Sequence, residues 1–341
     1  MNSDNQIHVA LASDDNYFEG LLTTAWSIAR NCSRPKDLVF HILDGGISDN
    51  RWKLLVDRLS TFHCQIDRLT INQSENFASF KAYRGPGKMT YARLLLPDLL
   101  PQVNTVIYSD VDMAWIVDIC ELWDSLNPHA VLHYVAKGGH AIQQEAEWFA
   151  RNNFTLEEDK RFCAAMIVMN LAQFRTEKLH AVMLKSIADS NGDVPCCDET
   201  ALNAFMFCRP DRQQISKRWL RPSGGRQDDL ESTGFVMHFG CDAPWRSLHT
   251  YHHMLTDAHV IWHKFHAEAR QISTWHSLRM FNGVADIIGC RMLFLAASRI
   301  SLVRALVHLT MKLRGNKNSF ACFDAYAVQL PFNKVDKHLI P

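Results

Sequence analysis

No segment of the 341-residue sequence contains about eighteen consecutive apolar residues, the length that a membrane-spanning helix needs. An excess of charge of either sign is also absent, because 36 lysine and arginine residues face 36 aspartate and glutamate residues. A chain with balanced charge creates no overall field that would draw it to nucleic acid or to a strongly acidic partner. These absences argue against membrane-spanning helices and against a nucleic-acid-binding protein.

Cysteine pairs with metal-binding or redox spacing are missing as well. The ten cysteines include no C-x-x-C pair, and so long a chain needs no disulfide framework to hold a core. The opening residues, MNSDNQIHVALAS, contain neither a basic cluster nor a long apolar core, so we expect no signal peptide. The sequence therefore predicts a cytoplasmic globular protein with reduced thiols, folded as one large domain or two smaller ones.

Short apolar segments alternate with amphipathic segments in the first 110 residues. The segments 7–12, 38–43, 64–69 and 103–108 predict strands, and the segments 18–31, 51–62 and 89–96 predict helices, the last ending before Pro97. This β-α-β order predicts a parallel sheet of the nucleotide-binding type. Later in the chain we expect strands at 165–170 and 235–239, helices at 176–190 and 198–207, and a polar loop at 218–231.

Two aspartates, Asp110 and Asp112, directly follow the predicted strand 103–108. Alternate residues of a strand point to the same face, so both carboxylates can face one side and would repel each other without a cation. A divalent cation that carries a diphosphate would relieve this repulsion, whereas a turn or helix cap with two solvated acids is the alternative. Ligands of parallel sheets bind beyond the carboxyl ends of strands, where segments 13–17 and 109–112 both fall, and this favours the cation.

Basic helical segments dominate the region 280–317, which has no acidic residue after Asp286. Its basic residues include Arg291, Arg299, Arg304, Lys312, Arg314 and Lys317. This composition predicts an amphipathic region that lies on an anionic bilayer, while the alternative is a helical pair packed on the rest of the chain with a solvated basic face. The spacing of the first three arginines does not keep them on one helix face, so we expect some of them to bond to the core.

Several segments, in this order, resemble the retaining glycosyltransferases of family 8, which include bacterial lipopolysaccharide galactosyl- and glucosyltransferases and, more distantly, glycogenin. The segments are ALASDDNY (10–17), FHILDGGIS (40–48), MTYARLLLPDLLP (89–101), VIYSDVDMAW (106–115), VMNL (168–171), CDETALN (197–203) and HFGCDAPW (238–245). Together they cover about residues 7–250. The resemblance implies an α/β fold of the GT-A nucleotide-binding type, with a mixed central sheet flanked by helices. It also implies a catalytic domain over 1–278 and a basic helical C-terminal region over 279–341.

A binding site for a UDP-sugar follows from this resemblance. Asp14 and Asn16 would contact the uracil base, Ala12 would contact it through its backbone, and Tyr17 would stack nearby. The further positions expected at the donor nucleotide are Val111, Gly240 and Arg246.

A metal site and a set of catalytic residues are implied in the same way. The metal ligands would be Asp110, Asp112 and His238, holding Mn²⁺ or Mg²⁺, which neutralises the diphosphate leaving group. Arg93 would reach the donor sugar or its phosphates. Asp198 and Glu199 match the pair that lies under the donor sugar and complete the catalytic set.

Each of these assignments has a structural alternative. Asp14 could cap a helix, Arg93 could be a surface charge, and His238 could be a hydrogen-bonded strand histidine. Glu199 could be a glutamate on a helix surface. The register that these residues share with the family favours the site.

The sequence departs from the family pattern in two places. Cys163, Ala164 and Ala165 stand where the family has asparagine, a small residue and glycine. Ala243 stands where a lysine of the closing motif H-x-x-G-x-x-K-P-W binds the diphosphate, and the motif is one residue shorter here. Arg246 could replace that lysine, and we expect Ala243→Lys to strengthen donor binding. These departures leave open an impaired protein that binds a nucleotide sugar without turnover.

The reaction implied by the resemblance is transfer of a hexose, galactose or glucose, from a UDP-sugar to a glycan acceptor such as lipopolysaccharide, with retention of the anomeric configuration. Retention requires a carboxylate nucleophile or attack on the same face through an oxocarbenium-like state. Many relatives have an amide where this chain has Glu199, whose carboxylate could stabilise that cation or bond to the anomeric carbon. Acceptor residues are expected in the loops 134–160 and 210–232. The enzyme is expected in the cytoplasm, at the inner face of the cell membrane if its basic region binds lipid.

The histidines suggest a different class, a zinc-binding protein. Eight of the seventeen histidines lie between residues 238 and 276, and His259 and His263 are one helical turn apart. Cys241 follows His238 by three residues. No compact spacing of four ligands accompanies them, which argues against a structural zinc site.

Overall fold

The computed structural model of this chain describes residues 6–81, 88–137, 143–155, 161–222, 234–240, 243–246, 255–300, 302–303 and 306. These residues form two units that alternate along the chain. Described residues up to 21, from 32 to 111 and from 119 to 219 belong to the first unit, and those from 22 to 31, from 112 to 118 and from 220 onward belong to the second. The predicted division at residue 279 stays a prediction, because most of 279–341 lies outside the described residues.

Ten strands are present among the described residues. They are β1 (Ile7–Ser13), β2 (Leu38–Asp44), β3 (Gln65–Thr70), β4 (Thr105–Ser109), β5 (Met113–Trp115), β6 (Leu132–Ala136), β7 (Phe162–Asn170), β8 (Arg212–Gln214), β9 (Arg221–Pro222) and β10 (Val236–His238). The first unit contains one sheet in the order β3-β2-β1-β4-β7-β6-β8, and the second unit contains a sheet in the order β5-β10-β9.

Parallel pairing joins β1 to β2, β2 to β3 and β1 to β4, as the β-α-β order of the first 110 residues predicts. Antiparallel pairing joins β7 to β4 and to β6. The predicted α/β fold with a mixed sheet is therefore confirmed. The registers Val9↔Ile107 and Ile107↔Val168 place β1 and β7 on either side of β4, which ends immediately before Asp110.

The described residues also contain α-helices in both units. They are α1 (Phe18–Asn31), α2 (Asp49–Leu59), α3 (Gln73–Asn76), α4 (Leu96–Leu99), α5 (Ile119–Asp124), α6 (Gln143–Arg151), α7 (Leu171–Thr176), α8 (Leu179–Asp189), α9 (Asp198–Met206), α10 (Asp257–Arg270), α11 (Thr274–Phe281) and α12 (Val284–Arg299). Short 3-10 helices occur at Asp15–Tyr17 and Met89–Leu95. The predicted helices 18–31, 51–62 and 198–207 correspond to α1, α2 and α9.

Two predicted helices differ from the structure. The segment Met89–Leu95 is a 3-10 helix and Pro97 lies in the first turn of α4, so the prediction that a helix ends before this proline was wrong. Proline is tolerated there because the first residues of a helix need no intrahelical N–H bond. The predicted helix 176–190 is instead α7 followed by α8, because Lys178 between them has a left-handed φ of 54°.

The core of the first unit lies around β1, β2, β4 and β7. β1 and β2 are buried along almost their whole length, as expected for parallel strands that are covered on both faces. Fully buried aromatic side chains of this core include Tyr91, Tyr108, Phe149, Phe162 and Phe174. Because Tyr108 belongs to this close-packed core, the aspartates that follow β4 start from a rigid support.

The second unit is built on β5, β10 and β9, with α10, α11 and α12. His238 on β10 pairs in register with Met113 on β5. Two hydroxyls of α1 hold β5: Thr24 Oγ1 donates to the carbonyl of Met113 (2.9 Å), and Ser27 Oγ accepts the N–H of Trp115 (3.0 Å). None of the described helices is long and apolar enough to cross a membrane.

Candidate active site

Asp14 caps the 3-10 turn that follows β1. Its Oδ1 accepts the N–H groups of Asn16 (2.9 Å) and Tyr17 (3.2 Å), and its Oδ2 accepts the side-chain amide of Asn16 (3.3 Å). The neighbouring Asp15 accepts the N–H of Ser48 (2.8 Å). The loop after β1 therefore has a defined shape, with Asn16 exposed and Tyr17 half-buried. The contacts of Asp14, Asn16, Tyr17 and Ala12 with uracil stay predictions.

Arg93 is the centre of a buried ion-pair network in the first unit. It is only 2% exposed, and its Nη2 lies 2.9 Å from Asp110 Oδ1 while its Nε lies 2.8 Å from Asp198 Oδ2. Nη1 donates to the carbonyl of Ala164, and the guanidinium stacks over the ring of Tyr108 at 4.1 Å. Burial opposes the charged form, but the two carboxylates outweigh it and raise the pKa of Arg93. Arg93 is therefore not a surface charge, and its guanidinium is engaged by protein groups.

Asp110 receives further support from the strands beside it. The Tyr108 hydroxyl donates to Asp110 Oδ1 (3.1 Å), and the Asp110 N–H donates to the carbonyl of Ala165 on β7 (2.7 Å). A tyrosine, an arginine and a backbone carbonyl thus fix the first aspartate of the D-x-D segment. Its orientation is set without any ligand.

Asp198 begins α9 and is buried beside Arg93. The Thr90 hydroxyl donates to its Oδ1. Burial raises the pKa of Asp198 to about 6, although Arg93 acts in the opposite direction. The preceding residue, Cys197, has a φ of 54°, a backbone conformation that costs energy for a non-glycine residue. Such strain is common at functional sites, and here it occurs immediately before the first turn of α9, which contains Asp198 and Glu199.

Glu199, the next residue, is held by two groups from other elements. Its Oε1 lies 2.5 Å from Lys137 Nζ at the end of β6, and its Oε2 accepts the N–H of Ala164 on β7 (3.0 Å). Its side chain is 15% exposed. Burial would raise the pKa of Glu199, but Lys137 outweighs this effect and lowers it. Glu199 is therefore an engaged carboxylate rather than a free glutamate on a helix surface.

Lys137 was missed by the sequence analysis. The sequence contained an indirect signal for such a cation, because Glu199 is a carboxylate at a position where many relatives carry a neutral amide. A buried carboxylate at that position needs a cation nearby. Burial disfavours the charged form of Lys137, but Glu199 outweighs burial and raises the pKa of the lysine. Which lysine or arginine of the chain would fold against Glu199 was not readable from spacing.

The segment Cys163–Ala165, which departs from the family pattern, lies within β7. The Cys163 thiol hydrogen-bonds to Glu199, and three further contacts with the site run through the backbone. The Ala164 N–H binds Glu199, the Ala164 carbonyl binds Arg93, and the Ala165 carbonyl binds the N–H of Asp110. Because these three bonds need no particular side chain, the departure changes the surface of β7 and keeps its role in positioning.

Asp112 and His238 face each other in the second unit. His238 Nε2 lies 3.4 Å from Asp112 Oδ1, and the Phe239 N–H holds the Asp112 carbonyl (2.9 Å). Asp112 Oδ1 is buried and has no hydrogen-bond partner among the described residues. Gly240 follows with a left-handed φ of 56°, which favours glycine. Two atoms of metal-ligand type therefore lie close together, one on the residue before β5 and one on β10.

The closing segment forms a turn in which the Arg246 N–H donates to the Ala243 carbonyl (2.9 Å). Ala243 is only 4% exposed. Trp245 lies beside Trp262 of α10, with 5.7 Å between ring centroids. The family lysine is thus replaced by a buried methyl group, and Arg246 at the other end of the turn is half-buried.

The imidazoles of three histidines on α10 bind hydroxyl groups. Ser277 Oγ lies 2.7 Å from His263 Nδ1 and 2.8 Å from His266 Nδ1, and His259 Nδ1 lies 2.6 Å from Thr256 Oγ1. Burial lowers the pKa of His263 well below its usual range. In the part of the chain that the structure describes, no set of three metal-ligand side chains forms on α10. These contacts favour the structural role of the histidines over a zinc site.

The fold and the groups that follow β4 define a class of protein. A mixed sheet in this order, with a D-x-D segment after β4, is the architecture of the GT-A glycosyltransferases, enzymes that transfer a sugar from a nucleotide-sugar donor to an acceptor. The sequence profile of "Glycosyl transferase family 8" matches residues 8–248. The chain belongs to glycosyltransferase family 8.

Individual proteins and solved structures are also similar to this chain. General stress protein A of Bacillus subtilis (strain 168) is 23% identical over 267 residues, covering 72% of this chain and 90% of that protein. The "Probable galacturonosyltransferase-like 4" of Arabidopsis thaliana is 30% identical over 125 residues, covering 35% of this chain and 34% of that protein. The crystal structure of the galactosyltransferase LgtC in complex with donor and acceptor sugar analogues has a TM-score of 0.60 at 20% identity, covering 78% of this chain and 96% of that chain. This structural likeness shows the fold.

Proposed function

We propose that this glycosyltransferase transfers a hexose, galactose or glucose, from a UDP-sugar to a hydroxyl of a glycan such as lipopolysaccharide, with retention of the anomeric configuration. One observation carries the proposal. Arg93 binds both Asp110, which begins the D-x-D segment, and Asp198, which the family resemblance places under the donor sugar. A single buried cation therefore links the residues expected at the diphosphate to those expected at the sugar.

A divalent cation, Mn²⁺ or Mg²⁺, fits the residues present. Asp112 Oδ1 is buried without a hydrogen bond from the described residues and lies 3.4 Å from His238 Nε2. Two ligands that each lie about 2.1 Å from one ion are separated by about 3.0 to 3.4 Å, so this spacing suits a shared metal. Asp110, two residues from Asp112 along the chain, would be the third protein ligand. When bound, the ion would neutralise charge on the diphosphate leaving group.

The protein's own residues then perform binding and orientation. Asp14, Asn16, Tyr17 and the Ala12 backbone would hold the uracil, with Val111 and Gly240 beside the nucleotide. Arg93 would keep Asp110 and Asp198 in fixed positions, and Glu199 would face the sugar.

A neutral hexose is favoured over a uronic acid. The name of the plant relative suggests a donor that carries galacturonic acid. The carboxylate of this sugar would need a cation in the sugar site. In the described part of the first unit, the cations next to Asp198 and Glu199 are Arg93 and Lys137, and both are already bound to carboxylates. A second acid would therefore lack a partner there.

The test is a screen of UDP-sugars for hydrolysis and transfer with Mn²⁺. Asp112→Asn is expected to lower the rate at least about a hundredfold, near 3 kcal/mol of lost charge stabilisation. Asp189→Asn, an exposed residue of α8, is the matched control and should leave the rate unchanged. Calorimetry with Mn²⁺ alone gives a second readout, because Asp112→Asn should weaken binding of the ion.

Two results would contradict the proposal. Full activity in excess chelator would contradict the requirement for a divalent cation. Binding of UDP without hydrolysis of any UDP-sugar would indicate an impaired protein that only binds the nucleotide, the alternative that the departure at Ala243 leaves open.

An anionic membrane surface is the partner we propose for α12. Val284, Ile288 and Met292 are spaced four apart and are 43%, 50% and 66% exposed, so they form one apolar stripe. Arg291 is engaged elsewhere, since its Nη1 lies 2.7 Å from Asp257 Oδ1, as expected for arginines that bond to the core. Arg304, Lys312, Arg314 and Lys317 lie outside the described residues. They would supply attraction of about 1 kcal/mol each near an anionic bilayer.

Co-sedimentation of the full chain with anionic vesicles tests this partner. The double change Ile288→Glu and Met292→Glu should reduce binding, and salt should weaken it further. Val182→Glu, a change of similar exposure on α8, is the control. Equal sedimentation of all three forms would assign the stripe to another role.

A further inference from the structure

We propose that Lys137 is a positioning residue for Glu199. By neutralising the carboxylate, Lys137 gives the pair the charge of an amide, so that Glu199 orients the donor sugar and does not attack its anomeric carbon. This inference rests on the proposed function and decides between the two roles open to a carboxylate at this position.

The geometry uses both oxygens of Glu199. Lys137 Nζ lies 2.5 Å from Oε1, and the Ala164 N–H donates to Oε2 at 3.0 Å. The lysine is itself anchored, because its N–H donates to the carbonyl of Arg161 (2.7 Å). Two elements, the end of β6 and the first part of β7, therefore hold this carboxylate at the start of α9 in a single orientation. An unbound nucleophile would need at least one oxygen directed at the sugar.

The charges point to the same role. A carboxylate that accepts a bond from an ammonium on one oxygen and from an amide on the other has its charge stabilised on both oxygens, which makes it a weak nucleophile but leaves it able to accept a further hydrogen bond. The pair has no net charge, as a glutamine side chain has none. It also presents to the sugar both a donor, the lysine ammonium, and an acceptor, the carboxylate, which are the two functions that an amide combines.

The titratable and charged groups near the pair do not disturb this balance. Burial raises the pKa of Cys163 well above its usual range and that of Cys196 to about 11, so both thiols are neutral near pH 7. Arg161 is bound to Glu145. Asp198 is bound to Arg93. Lys137 and Glu199 therefore neutralise each other locally.

The experiment compares Lys137→Met, Glu199→Gln and the double variant in the transfer assay. Each single change leaves one charge of the pair without its partner, either the Glu199 carboxylate, which is 15% exposed, or the Lys137 ammonium, which is 37% exposed, and each is expected to lower the rate about a hundredfold. The double variant restores a neutral pair and should recover at least about tenfold over either single variant, because coupled residues are not additive. If Glu199 is the nucleophile, the double variant will be no more active than Glu199→Gln.

The pH profile of Lys137→Met gives a second discriminating result. Without Lys137 the pKa of Glu199 should rise, because burial is the largest influence on it and only the weaker hydrogen bonds from Ala164 and Cys163 then oppose burial. A protonated Glu199 is neutral like an amide, so the activity of Lys137→Met relative to the native chain should increase as the pH falls from about 8 to 6. A relative activity that decreases with pH would mean that the carboxylate itself is needed, and it would overturn the proposal.

Thermal unfolding separates this inference from the proposed function. The double variant should regain most of the melting temperature that the single variants lose. The exposed pair on α8 provides the control, because Lys185→Met and Asp189→Asn should be additive and close to neutral. A native chain that transfers no sugar would contradict the proposed function. Melting losses that simply add would contradict the neutral pair, whether or not the chain is active.

Discussion

The two units of this glycosyltransferase differ in whether the charged groups of the candidate site have partners within the chain. In the first unit the buried Arg93 binds Asp110 and Asp198, and the half-buried Lys137 binds Glu199. In the second unit the buried Asp112 Oδ1 faces a histidine at 3.4 Å without a hydrogen bond from the described residues, and α12 exposes an apolar stripe. The first unit is preorganised by its own ion pairs, which suits stabilisation of charge that develops during a reaction. The groups of the second unit that lack such a match are those for which we propose partners from outside the chain, a divalent cation and an anionic membrane surface.

The largest expected effect concerns Arg93. Arg93→Met leaves Asp110 and Asp198 buried without their cation and is expected to lower the free energy of unfolding by about 3–5 kcal/mol. Chemical denaturation measures this change. Arg34→Met, which removes an exposed arginine 2.6 Å from Asp124, is the control and should cost at most about 1 kcal/mol. If both changes cost the same, the ion pairs of the first unit do not preorganise it.

Ser277 tests how the second unit holds its histidines. Its hydroxyl serves two imidazoles, so it donates to one Nδ1 and accepts from the N–H of the other. Ser277→Ala leaves both nitrogens buried without this partner and is expected to cost about 1–3 kcal/mol in the free energy of unfolding. Ser125→Ala, at an exposed serine of the first unit, should change it by less than about 0.5 kcal/mol. A neutral Ser277→Ala would mean that water replaces the hydroxyl.

The pH dependence of stability follows from the same cluster. The pKa of folded His263 lies well below 6.5 because the ring is buried, so the unfolded chain binds protons more readily as the pH falls. Its contribution to stability is complete above about pH 6.5 and is lost below it, at most about 1.4 kcal/mol per pH unit for one proton. Burial also lowers the pKa values of His8 and His133 to about 4, and they act in the same direction. The free energy of unfolding of the native protein and of His263→Gln, measured from pH 8 to 5, isolates the contribution of His263. The free energy of the variant should depend less on pH.

The smallest expected effect is at the closing turn. Arg246→Met should weaken UDP binding by about 1 kcal/mol if this arginine takes over the phosphate contact of the family lysine. Ala243→Lys, expected from the family motif to strengthen binding by a similar amount, must first bring a lysine out of a buried position. Calorimetry with UDP measures both variants. A gain for Ala243→Lys together with no loss for Arg246→Met would show that the arginine does not replace the lysine.

Local patterns were enough to predict the parallel half of the first sheet. β1, β2, β3 and β4 are each an apolar segment followed by a turn or helix, and the order of such segments along the chain indicates parallel pairing. The strands β5, β8 and β9 were missed because each has only two or three residues, and β6 was missed because it lies partly in the segment 134–160 that was expected to be a loop. Pro97 was misjudged because a proline ends a helix or begins one depending on its position in the first turn.

By itself, the sequence determined the fold class, the family and the positions of Asp110, Asp112, Asp198, Glu199 and His238 in recognisable segments. Only the tertiary structure decided what these residues touch. Lys137 and Glu199 are 62 residues apart, and Arg93 and Ala164 are 71 residues apart, so no local spacing could predict their contacts. The physical reason is that buried charges take their partners from whichever strands the sheet brings together. Residue type predicts the need for a partner, and the packing of β6, β7 and α9 selects it.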